Sequence, residues 1–156
     1  EEDRNFVTDW WIQQVLEGLE KGNYEYIDFV GFYWLEELAG YWPNTTQWAN
    51  NRVHELGYKM FWIPFFFANG YLWADEMGFD AVAYQPNHFF KSPYDKDDAG
   101  LLGTRQIDRA AQAANYGNIG LEIEVDGNAF FDPAKYNQYL DYLNSAVNNG
   151  MEGKDA

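Results

Sequence analysis

Four short runs rich in aromatic and β-branched residues, "YIDFVGFYWLEE", "YKMFWIPF", "FDAVAYQ" and "GLEIEVDG", alternate with segments whose apolar residues recur at helical spacing. No other feature constrains the fold as tightly. The spacing predicts a first helix through "WWIQQVLEGLEKG", capped by Thr8 or Asp9 and stopped near Gly22, and a second from about Thr46 to Leu56 with Gly57 as its stop. A short helical piece is expected near "YLWADEMG", another helix over "TRQIDRAAQAANYG", and a last one over "AKYNQYLDYLNSAVNNG", where Asp132 and Pro133 pair a cap with a first-turn proline. Helix followed by four strand-helix units favours a parallel sheet, because parallel neighbours require crossover connections.

Two architectures satisfy that pattern, an open doubly wound sheet and part of a (β/α)8 barrel. A whole barrel takes about 250 residues, so 156 residues hold about half of one, as a single partial domain over 1–156. No strand is followed by a "GxGxxG" or "GxxxxGK" turn, the usual nucleotide signatures of the open sheet. The run "GLEIEVDG" separates the two further. Its acids Glu122, Glu124 and Asp126 alternate with Leu121, Ile123 and Val125, whereas a central strand of a doubly wound sheet is apolar on both faces. In a barrel the apolar set would face the helices and the acids would face the axis, with Asp126 at the rim, Glu124 just inside and Glu122 deeper.

Composition removes several function classes. With 25 acidic and 10 basic residues the formal net charge is −15, which repels nucleic acid and anionic membrane surfaces, so neither is expected as a partner. There is no cysteine, hence no disulfide, thiolate metal site or cysteine nucleophile. The aromatic run "MFWIPFFFANGYLW" is broken by Pro64, Asn69 and Gly70 and is not expected to span a bilayer, and the N-terminus shows no basic and apolar leader.

The phrases "VGFYWLEE", "ELGYKMFWIPFFFANGY", "GFDAVAYQPNHFF" and "GLEIEVDG", in this order, resemble an uncharacterised bacterial domain family, a domain of unknown function with a glycoside-hydrolase-like TIM barrel. The likeness runs from about Trp10 to Gly150. It implies that the four strands are the fourth to seventh of a barrel, that the chain is an excerpt of a longer one, and that the missing barrel half or another chain is a partner. It also implies a retaining glycosidase with its acid/base on the fourth strand and its nucleophile on the seventh. Those positions fall near Glu36/Glu37 and Glu122/Glu124. Glu37 matches the acid of "GFYWxxE", and Glu124 is preferred because Glu122 sits deeper. Retaining chemistry needs two carboxyls about 5 to 5.5 Å apart. The resemblance implies no cofactor and no metal, a carbohydrate as ligand, and a secreted, periplasmic or cell-surface setting.

Further residues are candidates for holding a sugar. Tyr33, Trp34, Trp62, Phe65, Phe66 and Tyr84 cluster near strand ends, where rings could stack on sugar faces, with Trp34 and Trp62 foremost. For most of these rings, packing is the competing expectation. In "YQPNHFF", Gln85, Asn87 and His88 could bond sugar hydroxyls, and Asp126 could do so at the rim. No serine motif accompanies the histidine to complete a triad. The loop "YDKDDAG" fails the EF-hand spacing, with Ala99 and Gln106 where ligands are required, and reads as a solvated acidic loop. The same aromatics and acids also fit a non-catalytic carbohydrate-binding barrel or a structural assembly module.

Overall fold

A computed structural model describes residues 1–39, 42–68, 70–91 and 105–151. The acidic loop and the calcium reading lie outside the described residues. Strands β1 (Gly31–Trp34), β2 (Lys59–Trp62), β3 (Ala81–Tyr84) and β4 (Gly120–Leu121) pair in parallel in the order β1-β2-β3-β4. Helices α1 (Glu2–Gly22), α2 (Pro43–Glu55), α3 (Ala74–Met77), α4 (Arg105–Gly117) and α5 (Pro133–Asn148) precede, separate and follow them. The protein is therefore a mixed α/β fold with a four-stranded parallel sheet.

Local chemistry explains most element ends. Pro43 opens α2 earlier than Thr46, since a first-turn proline forfeits no helical bond. Helix α1 starts at Glu2, not after Thr8 or Asp9. Phe6 and Val7 prolong the apolar stripe at helical spacing, and Glu2 and Asp3 place carboxylates beside the free amides of the first turn. Asp9 instead accepts a 2.6 Å bond from Arg52 Nε and ties α1 to α2. The helix closes through Asn23, whose left-handed backbone directs its N–H to Leu19 and Glu20 carbonyls. At α5, Asp132 Oδ1 accepts from Ala134 N at 2.8 Å, the cap expected from the Asp-Pro pair.

The strands are shorter than their apolar runs. Tyr84 is the last residue of β3 in the ladder, because Pro86 has no N–H to pair and Asn87 turns the chain with φ 56°. Deprived of its neighbour, β4 ends at Leu121, apart from one bond from Glu122 N to Tyr84 O. Ile123 and Val125, expected against the helices, are 47% and 48% exposed, and only Leu121 packs inward.

Register fixes the faces. Phe32, Met60 and Trp62 bury against Ile12 of α1, Ala49 and Val53 of α2, and Ala74 and Met77 of α3. Tyr84 and Phe66 meet Ala110 and Ala114 of α4, and Leu121 joins Ile107 and Tyr142 of α4 and α5. On the other face Tyr33 pairs with Phe61, their rings 5.8 Å apart, and Tyr33 is 42% exposed. At the opposite end of the sheet, Asp80 accepts from Lys59 Nζ (2.7 Å) and Met60 N (2.8 Å) and meets His54 Nε2 (2.8 Å).

Burial alone would raise the Asp80 carboxyl, but Lys59, the Met60 amide and His54 together outweigh it and hold it at about 2, against 3.8 unperturbed. A depressed folded value means that the unfolded chain binds more protons in this range. The stabilisation is present above about pH 4 and is lost as pH falls toward 2. Asp80→Asn should therefore cost about 1–2 kcal/mol near neutrality, modest because Lys59 is largely exposed. In denaturant titrations at pH 7 and pH 2.5 the gap between variant and parent should narrow at the lower pH.

Candidate functional site

The two acids after β1 have different tasks. Glu36 accepts from Leu38 N at 3.0 Å through Oε1, and its carbonyl accepts from the Trp62 indole N–H at 3.0 Å. These bonds consume Glu36 in shaping the turn. Glu37 is exposed and acts electrostatically on Tyr33 and Glu122. The Tyr33 phenol is raised above its ordinary value, first by burial and then by the negative charges of Glu37 and Glu122.

Glu122 feels the charge of both other acids. Burial, then Glu124, then Glu37 raise its carboxyl, and a hydrogen bond with Gln85 opposes them. Gln85 is placed by a bond from its N–H to Pro64 O at 2.9 Å and by a parallel bridge to Phe65, which carry the β2 and β3 chains together past the strand ends. Glu122 Oε2 is buried and lacks a hydrogen-bond partner. Such an oxygen is costly in a closed interior and serviceable where a ligand supplies the missing bond.

Glu124 is only 7% exposed. Its Oε2 accepts from the Tyr142 hydroxyl at 2.5 Å and from His88 N at 3.0 Å. The Tyr142 oxygen in turn accepts from Phe89 N at 2.9 Å. Burial, followed by the bond and charge of Glu124, pushes the Tyr142 phenol far above its ordinary range. The Glu124 carboxyl thus ties β4 to α5 and to the chain leaving β3.

The remaining sequence candidates separate. Tyr33 and Gln85 stand with the acids. Trp62 lies fully buried on the helix-covered face, stacked on Phe79 at 4.9 Å. Trp34 shares that face and borders a cleft with Val7 and Trp42. His88 is buried, with Nε2 2.9 Å from Asp141 Oδ2 and its ring against Tyr142. Asn87 supplies a turn in the left-handed region, and its carbonyl accepts from Gln106. Asp126 accepts from Asn128 N (2.7 Å) and Asn128 Nδ2 (3.1 Å), capping the 3-10 turn Gly127–Phe130. Phe66 and Tyr84 are core residues.

Sequence reasoning missed the supporting stripe on α5. Lys135, Gln138, Asp141 and Tyr142 recur at helical spacing and all address the segment after β3. Lys135 Nζ bonds Phe89 O at 2.5 Å, and Gln138 Nε2 bonds Lys91 O at 2.8 Å and His88 O at 3.2 Å. The available signal was the helical spacing of these polar residues, which form the face that α5 buries while Tyr136, Leu143 and Val147 stay exposed. Among the described residues no three histidine or carboxylate side chains converge closely enough to hold a metal ion. No described helix is long and apolar enough to cross a membrane.

A family model described as "Domain of unknown function (DUF4855)" matches residues 1–156. No curated protein and no solved structure matches the chain.

Removing the Tyr142 hydroxyl strips Glu124 of one donor and leaves the Phe89 amide without its acceptor. Tyr142→Phe should cost about 1–3 kcal/mol, read as a lower denaturation midpoint with an unchanged slope.

Proposed function

The chain belongs to the DUF4855 family of domains of unknown function, and on that premise we propose that it is part of a (β/α)8 barrel of glycoside-hydrolase type. It cleaves a poly- or oligosaccharide with two carboxyls and retention of configuration. The observation that carries this reading is the electrostatic coupling of acids beyond the C-terminal strand ends, Glu37 and Glu122 acting on Tyr33 and both Glu37 and Glu124 acting on Glu122, where barrel enzymes place their chemistry. The strand order supports the barrel. A doubly wound sheet reverses order at its switch point, whereas this sheet runs β1 to β4 without reversal and carries its cores on one face.

The uncovered side supports a partner, either the remaining barrel strands or another chain. Val30 is 69% exposed beside β1, Tyr33 and Ala81 are open on the inner face, and Ile123 and Val125 are open beyond β4. Three acids in a chain of net charge −15 favour a neutral sugar over an anionic one. A second reading, a barrel that binds carbohydrate without cleaving it, is favoured by the buried bonds that occupy Glu124.

A panel of neutral oligosaccharides offered to the intact protein tests both. Turnover that falls roughly 10²-fold or more in Glu37→Gln, with binding retained, fits the hydrolase. Binding without turnover by parent and variant alike selects the second reading. Neither binding nor turnover overturns both.

A further inference from the structure

Resting on the hydrolase reading above, we infer that Glu122, directly after β4, is the carboxyl that meets the glycosidic oxygen, and that Glu124 is a positioning residue holding the 88–89 backbone together with Tyr142. This exchanges the tasks that strand parity alone suggests, in which Glu122 is too deep and Glu124 reacts, and it reverses the order that the resemblance implies, because the acid now follows the last strand and the nucleophile follows the first.

Three observations carry it. Glu124 offers little to a ligand: it is almost fully buried, and one of its oxygens already accepts from the Tyr142 hydroxyl and the His88 amide. Glu122 is half-buried, with Gln85 on its carboxyl and an Oε2 that no protein group satisfies. A buried oxygen without a partner beside a half-open surface is where a substrate oxygen supplies the missing bond. Tyr33, the open ring of the inner face, senses Glu37 and Glu122. Glu37 and Glu122 are thus the two acids that act on Tyr33, whereas Glu124 is bonded to Tyr142 and the His88 amide.

The environments also divide the chemistry. Burial and two negative neighbours favour the protonated form of Glu122, as a general acid requires, whereas Glu37 stands in solvent. The Glu122 proton passes to the glycosidic oxygen as the bond from that oxygen to the anomeric carbon breaks, its electron pair going to the oxygen. A Glu37 carboxylate oxygen forms the new bond to that carbon. Water then attacks the same carbon, the Glu37 ester bond breaks, and Glu122 recovers the proton from the water.

Two measurements on the intact protein test the assignment. Carbodiimide and an amine, followed by mass spectrometry of the peptides, should label Glu37 and Glu122 and spare Glu124. Labelling of Glu124 as fast as Glu122 overturns the inference, whatever the protein's activity. Kinetically, Glu122→Gln should slow oligosaccharide cleavage roughly 10²- to 10⁴-fold and abolish the alkaline limb of the pH profile. Its cleavage of a dinitrophenyl glycoside, whose leaving group needs no proton, should fall less than tenfold in the first step. Glu124→Gln should raise KM and keep the alkaline limb. Selective loss in Glu124→Gln with Glu122→Gln unchanged overturns the assignment, whereas no glycoside turnover by the parent sinks the hydrolase reading itself and leaves the labelling to decide which carboxyl is open.

Discussion

The parallel ladder between β1 and β2 is the constraint on which the rest of the structure depends. Its register, Gly31 with Lys59 through Trp34 with Trp62, sends alternate side chains to opposite faces. Phe32, Met60 and Trp62 then have to be covered by helices, and Tyr33 and Phe61 are left on the other side. Gly31 makes the approach possible, because a Cβ there would run into the Lys59 carbonyl oxygen. Slipping β1 by one residue against β2 would put Tyr33 into the helix layer and Phe32 on the open face.

The same ladder explains why neighbouring acids in one short run have unlike surroundings. Pairing holds β4 only to Leu121, since Pro86 and the left-handed Asn87 take β3 away from it. Glu122 keeps the inner-face direction of the strand and meets Gln85, whereas Glu124 lies beyond regular pairing and is captured by Tyr142 and the His88 amide. Helix α5 completes this arrangement. Lys135, Gln138 and Tyr142 satisfy carbonyls and amides of residues 88–91 that no strand would pair, so a segment without ladder bonds is still held.

Much of this was legible in the sequence. Periodicity revealed four strands between helices, and the need for crossovers made the sheet parallel. Asp132 before Pro133 marked the start of α5 because capping is a local interaction, settled within three residues. Trp34 and Trp62 were less legible. A tryptophan near a strand end suits a sugar platform or a core equally well, and Trp62 went to the core because the partner across the ladder and the helices over it came from distant parts of the chain. Its indole N–H then found the Glu36 carbonyl.

What the sequence determined by itself was local: the alternation of elements, their caps, the acidic charge and the presence of acids after the first strand and along the last. Tertiary structure decided the surroundings of each acid. Two residues apart on a regular strand, Glu122 and Glu124 would share an environment. They differ because a strand's regularity depends on its neighbour, and the neighbour left through a proline at Pro86. The donors that occupy Glu124 come from a helix and a turn that no spacing within "GLEIEVDG" could reveal.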